Sequence, residues 1–323
     1  MQPASSPSLS RMLGLLVLLA SWVQLGLAQT YHLRKDIRGE GFYREFVWED
    51  INDPTHGRVN YVDQQTSRAQ NLTYATPDSF ILRADSTNVV WGGRGRNSVR
   101  IRSREMFSNH VSIYDIRHMP EGCGTWPAVW TVGDNWPHGG EIDILEGVND
   151  EGPNAATLHT SRGCTMPQGD SGHRGLRVLN NCDATVNGNT GCPVDFTGQN
   201  SYGPAFNRAG GGWYVLERTS SAIKIWFWSR NDPNVPWEVK TPRQTVTTAN
   251  WGAPTAFFPD WSCNMNQFFG PHWIVINLTF CGDWAGNVYH QSNCPSNCID
   301  FVDNNPWAFQ DAYFDIANIR VYT

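Results

Sequence analysis

Short runs in which apolar and polar residues alternate, or in which apolar residues follow one another, recur along the chain with Gly, Asn, Asp and Pro between them. They fall at residues 79–83, 99–104, 111–115, 128–132, 141–145, 212–217, 223–229, 273–279 and 317–322. Each has strand length and is rich in β-branched or aromatic residues. No stretch keeps a helical period over several turns; short helical turns are expected near 39–46 and 306–312. Many strands and few helices predict two packed antiparallel sheets, an all-β domain over residues 29–323.

Residues 163–204 break the rhythm. They are rich in Gly, Asn, Thr and Asp and contain Cys164, Cys182 and Cys192. A long excursion with little regular structure is uncommon in a compact domain. Local disulfides would brace it by limiting the freedom of the unfolded chain.

The other end-to-end patterns narrow the setting. Arg11, an apolar run over 12–19 and the small-residue ending Gly26-Leu27-Ala28 predict a signal peptide over 1–28, cut after Ala28. The run is shorter than the roughly 20 residues that span a bilayer, so a secreted, extracellular chain without a membrane partner is expected. The 8 cysteines then read as disulfides, with on the order of a hundred possible pairings left open. Cys294 and Cys298 form a close pair without the second pair a zinc finger needs, so no metal is expected, and no cofactor. A formal charge of −6 gives no nucleic-acid footprint. The 15 Trp residues exceed what a core requires, and flat apolar rings with one polar edge suit the C–H faces of sugars.

Chemistry concentrates in Gly139-Gly140-Glu141-Ile142-Asp143-Ile144-Leu145-Glu146-Gly147. Alternation puts Glu141 and Asp143 on one face of a strand and Ile142 and Ile144 on the other. Strict alternation would bury Glu146 with the isoleucines; a one-residue bulge near Ile144-Leu145 returns it to the acidic face. Glu141 and Glu146 are then roughly 13 Å apart at Cα. Side chains leaning together would bring the carboxyls to about 5–6 Å, the separation of a retaining glycosidase rather than an inverting one. Asp143, between them, can share a proton with Glu141 and raise a neighbour's pKa by like-charge repulsion. Acidic side chains clustered on one strand face are destabilising, which argues against a merely solvated face. An EF-hand reading fails on spacing.

Glu-Ile-Asp-Ile-Leu-Glu resembles the Glu-x-Asp-x-x-Glu signature of glycoside hydrolase family 16, and the resemblance extends over the mature chain. Residues 124–130, 147–150, 158–160, 211–214 and 277–284 look most like the secreted fungal endo-1,3(4)-β-glucanases, or laminarinases. The resemblance implies a concanavalin-like β-jelly roll with a cleft across its concave sheet. It implies Glu141 as nucleophile, Glu146 as acid/base and Asp143 as the assisting carboxylate, with the two-residue spacer marking the bulged branch. By the same likeness His159 lines the cleft near the acid/base, Trp130 and Trp136 stack on donor-side glucose units, Trp284 closes another part of the cleft and Arg100 contacts sugar. Trp126, before Pro127, reads as a packing residue. The loop at Gly133-Asp134-Asn135 is shorter than the pattern.

The expected partner is therefore β-1,3-glucan, as polysaccharide or oligosaccharide, with mixed-linkage glucan a further candidate, acted on by a monomer. A wall-glucan transglycosylase would use the same carboxylates. A glucan-binding lectin on the same sandwich would have lost them. Asn71-Leu72-Thr73 and Asn277-Leu278-Thr279 are sequons and so candidate glycan acceptors; Asn71 follows a polar stretch and is the better candidate, whereas Asn277 lies in an expected strand.

Overall fold

The computed structural model of the chain describes residues 29–169 and 171–323. The expected signal peptide, 1–28, lies outside them. Two large antiparallel sheets face each other. One has nine strands, running in the order Thr245–Val246, Tyr31–Ile37, Tyr313–Tyr322, His110–His118, Gly212–Arg218, Ala222–Ser229 and Ala256–Pro259, with Ser79–Arg83 and Thr73–Thr76 branching from Tyr313–Tyr322. The other has eight, in the order Leu176–Arg177, Val194–Asp195, Ala155–His159, Glu141–Glu146, Thr125–Gly133, His272–Phe280, Arg100–Ser103 and Phe46–Trp48. Sequence neighbours are repeatedly separated in the sheets, the crossing connectivity of a jelly roll.

Every expected strand is present, most of them longer by a residue or more at one end. Alternation makes the sandwich: Ile274, Ile276, Leu278 and Phe280 of one strand and Val129 and Ile142 of its neighbours point inward with Tyr114, Ile116, Tyr214 and Leu216 from the opposing sheet. Each such side chain removed from water contributes about 1.5–3 kcal/mol. The outer face of the nine-stranded sheet carries a second apolar cluster, in which Tyr31, Trp213, Trp226 and Trp228 of the sheet are covered by Val235, Val239 and Trp251 of the segment around 235–251. Indoles thus do core work there, away from the acidic strand. The two expected helical turns fall at Gly41–Glu45 and Pro306–Phe309; further short helices, such as Gln64–Ala69, Gly203–Arg208 and Cys298–Asn304, lie where none was expected.

Among its described residues the excursion at 163–204 holds only two-residue strands and short turns and helices. Its bracing is partly long-range. Cys182–Cys192 is local, while Cys164 reaches Cys263. The remaining pairs, Cys123–Cys294 and Cys281–Cys298, tie the 281–298 segment to the start of strand Thr125–Gly133 and to itself. Among the described residues no helix is long and apolar enough to cross a membrane.

Candidate active site

The acidic strand lies in the middle of the eight-stranded sheet, and two glycines bracket it. Gly140 has φ +79°, and a Cβ there would stand 2.5 Å from the carbonyl oxygen of Phe268; a Cβ on Gly147 would stand 2.5 Å from the ring of Tyr202. Between them Glu141, Ile142 and Asp143 pair with Val132, Thr131 and Trp130; the register then slips, and Leu145 and Glu146 pair with Val129 and Ala128. Ile144 is the extra residue. Ile144 and Leu145 are both fully buried, and Glu146 returns to the face of Glu141 and Asp143, as the alternation required.

Neighbouring strands fill the same face by the same period of two. Trp126, Ala128 and Trp130 come from Thr125–Gly133, and Trp273, Val275 and Asn277 stand opposite Val132, Trp130 and Ala128. Arg100 and Arg102 lie across from Asn277 and Val275. Arg100 packs over Trp130 at 5.0 Å and Arg102 over Trp273 at 4.3 Å. One carboxylate fixes both guanidinium groups: Arg100 Nε donates to Glu49 Oε2 at 2.7 Å, and Arg102 Nε to Glu49 Oε1 at 2.6 Å. Trp130 Nε1 donates to Asn277 Oδ1 at 2.7 Å. The floor is thus a row of cations and rings running across the strands.

His159 is the cross-strand partner of Glu141. Its Nδ1 donates to Asn189 Oδ1 at 2.8 Å, and its Nε2 stands 3.3 Å from Asp143 Oδ2. One ligand atom each of Glu141, Asp143 and His159 falls within 4.8 Å of the others. Burial disfavours a charged His159, but contact with Asp143 and the fields of Glu141 and Glu146 outweigh it and lift the imidazole to about 10. Asp143 is held well above the usual carboxylate range, first by burial and then by Glu141 and Glu146, with His159 opposing. Burial pushes Glu146 up to about 7; a hydrogen bond from Trp126 and the charge of His159 pull it down, and Glu141 adds upward. A carboxyl poised there can give and take a proton near neutral pH.

At the Glu146 end the surroundings come from afar. Trp126 Nε1 donates to Glu146 Oε1 at 2.9 Å, and the ring meets Trp284 edge-on at 5.7 Å. Trp126 is therefore a site residue, correcting the packing role its place before Pro127 suggested. Trp284 rides on a single π-helical turn, Gly282–Gly286, held by the Cys281–Cys298 disulfide and by Asn149, whose Nδ2 donates to the carbonyl of Ala285 at 2.9 Å.

Glu141, Asp143, Glu146, His159, Trp130, Trp284 and Arg100 are brought to this face or its rim. Trp136 lies in the loop between Thr125–Gly133 and Glu141–Glu146, 46% exposed, where Gly133 N–H meets the carbonyl of Gly140. Arg102, Glu49 and Asn189 escaped the sequence reading, as did the bond from Trp126 to Glu146. Period-two alternation from Arg100 marks Arg102; nothing local marks Glu49 or Asn189. Of the sequons, Asn71 is exposed. Asn277 corrects the expectation of a glycan: it is 5% exposed, and its Nδ2 donates to Tyr61 Oη at 3.2 Å, so a sugar has no room on it.

Paired glutamates on one strand of a concave sheet, one carboxyl poised near neutrality, define a glycoside hydrolase on a β-jelly roll. The chain belongs to glycoside hydrolase family 16: the family model for the XgeA-like, catalytic GH16 domain matches residues 46–322. A probable glycosidase of Schizosaccharomyces pombe is 43% identical over 91% of this chain and 70% of its own length. An endo-1,3(4)-beta-glucanase of Arthroderma benhamiae is 40% identical over 95% and 68%. Among solved structures, GH16 Laminarinase 16A from Phanerochaete chrysosporium, with 6-O-glucosyl-laminaritriose in donor and acceptor sites, superposes with a TM-score of 0.90 at 54% identity, covering 91% of this chain and 100% of that one. An elongating family 16 β-1,3-glucosyltransferase superposes at 0.83 with 38% identity, over 91% and 100%.

Proposed function

We propose that the chain is an endo-acting, retaining β-1,3-glucanase. The observation that carries this is the bulge that sets Glu146, poised at about 7, on the same face as Glu141. In the proposed reaction the Glu141 carboxylate attacks the anomeric carbon. Glu146 gives its proton to the leaving glycosidic oxygen and then takes one from water, which attacks the glycosyl-enzyme from the opposite side. Asp143 keeps a proton and shares it with Glu141. His159, kept cationic, balances the remaining negative charge. The ring-and-guanidinium floor suits a sugar chain laid across the strands, and the names of the relatives above support β-1,3-linked glucose as that sugar.

The same reading includes a cleaved signal peptide ending at Ala28, action outside the cell supported by four disulfides, a monomer, and a glycan on Asn71. Transfer to a sugar acceptor is the second reading, favoured by the similarity to the elongating glucosyltransferase. Digestion of laminarin, lichenan and a β-1,3/1,6-glucan tests both. Hydrolysis gives shorter oligosaccharides from laminarin with the β-anomer formed first. Products longer than the substrate favour transfer, and early α-anomer rules out double displacement.

A further inference from the structure

We propose that Asn154 is the positioning residue that locks the bulge of the acidic strand, and thereby sets where Glu146 stands. This rests on the reading of Glu146 as acid/base.

Regular pairing of the acidic strand with Ala155–His159 ends at Asp143 and Thr157. Beyond it Ala155 and Ala156 pair instead with Asp195 and Val194 on their far side. The edge of the bulge is left with the carbonyl of Ile144 and the N–H of Glu146 and no strand to meet them. Asn154, fully buried, meets both: its Oδ1 accepts from Glu146 N–H at 2.9 Å, and its Nδ2 donates to the Ile144 carbonyl at 3.0 Å. In a β-strand the carbonyl of one residue and the N–H of the second residue on point to the same side. A primary amide, with one acceptor and one donor abreast, replaces the missing peptide group.

Asn154 is itself held. Its backbone N–H donates to Ser201 Oγ at 3.0 Å, and its carbonyl accepts from Phe196 N–H at 2.8 Å. Ser201 Oγ donates in turn to the Gly198 carbonyl at 2.6 Å. Phe196, Gly198 and Ser201 all belong to the Gly- and Asn-rich excursion, which thus anchors the clamp. Glu146 is gripped twice, at its backbone by Asn154 and at its carboxyl by Trp126. The nucleophile end owes nothing to this amide, because Glu141 is paired on both sides, to Val132 and His159.

Loss of the amide leaves two buried backbone groups unpaired, and the strand answers by re-pairing, which displaces Glu146 and spares Glu141. The test compares wild type, Asn154→Ala, Asn154→Asp and Glu146→Ala on laminarin and on an aryl β-glycoside of a laminari-oligosaccharide, whose leaving group needs no proton, with melting curves alongside. Asn154→Ala is expected to lose about 10–100-fold on laminarin, part of the 10²–10⁴ that general acid help provides. It should lose only a few-fold on the aryl glycoside, with azide raising aryl turnover. Asn154→Asp keeps the acceptor and loses the donor, so it falls between, and it carries the test alone if the alanine variant does not fold. Equal loss on both substrates, or no loss, in the Asn154 variants overturns the positioning role. Absence of selective loss in Glu146→Ala overturns the acid/base assignment instead, so the two failures are separable.

Discussion

The two ends of the acidic strand are built in different ways. Around Glu141 the strand is regular: it is paired on both sides, and its cross-strand neighbours Val132 and His159 follow from register alone. Around Glu146 the register is broken: Trp126 holds the carboxyl with Trp284 set against its ring, Asn154 holds the backbone, and Asn154 and Trp284 are supported in turn by the excursion and by a disulfide-tied turn. A nucleophile needs a fixed place and an available carboxylate, which a strand supplies. An acid/base must also hold its proton until the right moment, so its surroundings must tune affinity, and one strand cannot do that.

Three substitutions probe this contrast. The largest effect is expected at the regular end: Glu141→Gln should cut glucan hydrolysis by roughly 10⁴-fold or more while leaving the melting temperature and glucan binding close to wild type. Residual turnover above a few per cent of wild type removes Glu141 from the nucleophile's role.

At the tuned end, Trp126→Phe deletes the indole donor and keeps the ring. The bond favours the ionised form of Glu146, so its loss raises that pKa further above its present value of about 7. The proton is then retained to higher pH, and the basic limb of the pH profile for kcat should move upward, with kcat near the optimum falling roughly tenfold. A limb that stays put or moves down would show that Trp126 only fills space.

The smallest effect asks whether the regular end is as self-contained as it looks. Asn189→Ala removes the acceptor of His159 Nδ1, a bond worth about 1 kcal/mol net. A fall of only a few-fold in kcat/KM is expected, since cross-strand pairing still aims the imidazole. A loss approaching that of Glu141→Gln would mean the nucleophile end also depends on distant loops.

The same division explains what the sequence disclosed. The strands, the acidic face and the bulge at Ile144 are written in a period of two, and that period survives folding because one face must be buried. Trp126 was read as packing because its hydrogen-bond partner lies 20 residues on, across a register no local pattern encodes. Glu49, 51 and 53 residues from the arginines it fixes, left no signal, and neither did Asn154, an ordinary Asn after a Pro. Asn277 matched a modification motif in sequence, yet its strand turns the amide toward Trp130 and Tyr61. What was legible depended on near neighbours; what was hidden depended on which strands the topology brings side by side.

The cleft floor has a consequence for how such a chain can change. Each strand of the cleft floor gives one face to the floor and the other to the core, so gaining or losing a single residue within Arg100–Ser103, Thr125–Gly133 or His272–Phe280 would exchange the two. Variation in the number of residues is thereby driven into the connecting loops, or into the strands two at a time. In the cleft sheet Ile144 is where one odd residue has been absorbed, and the parity it changed is that of the carboxyl five places after Glu141.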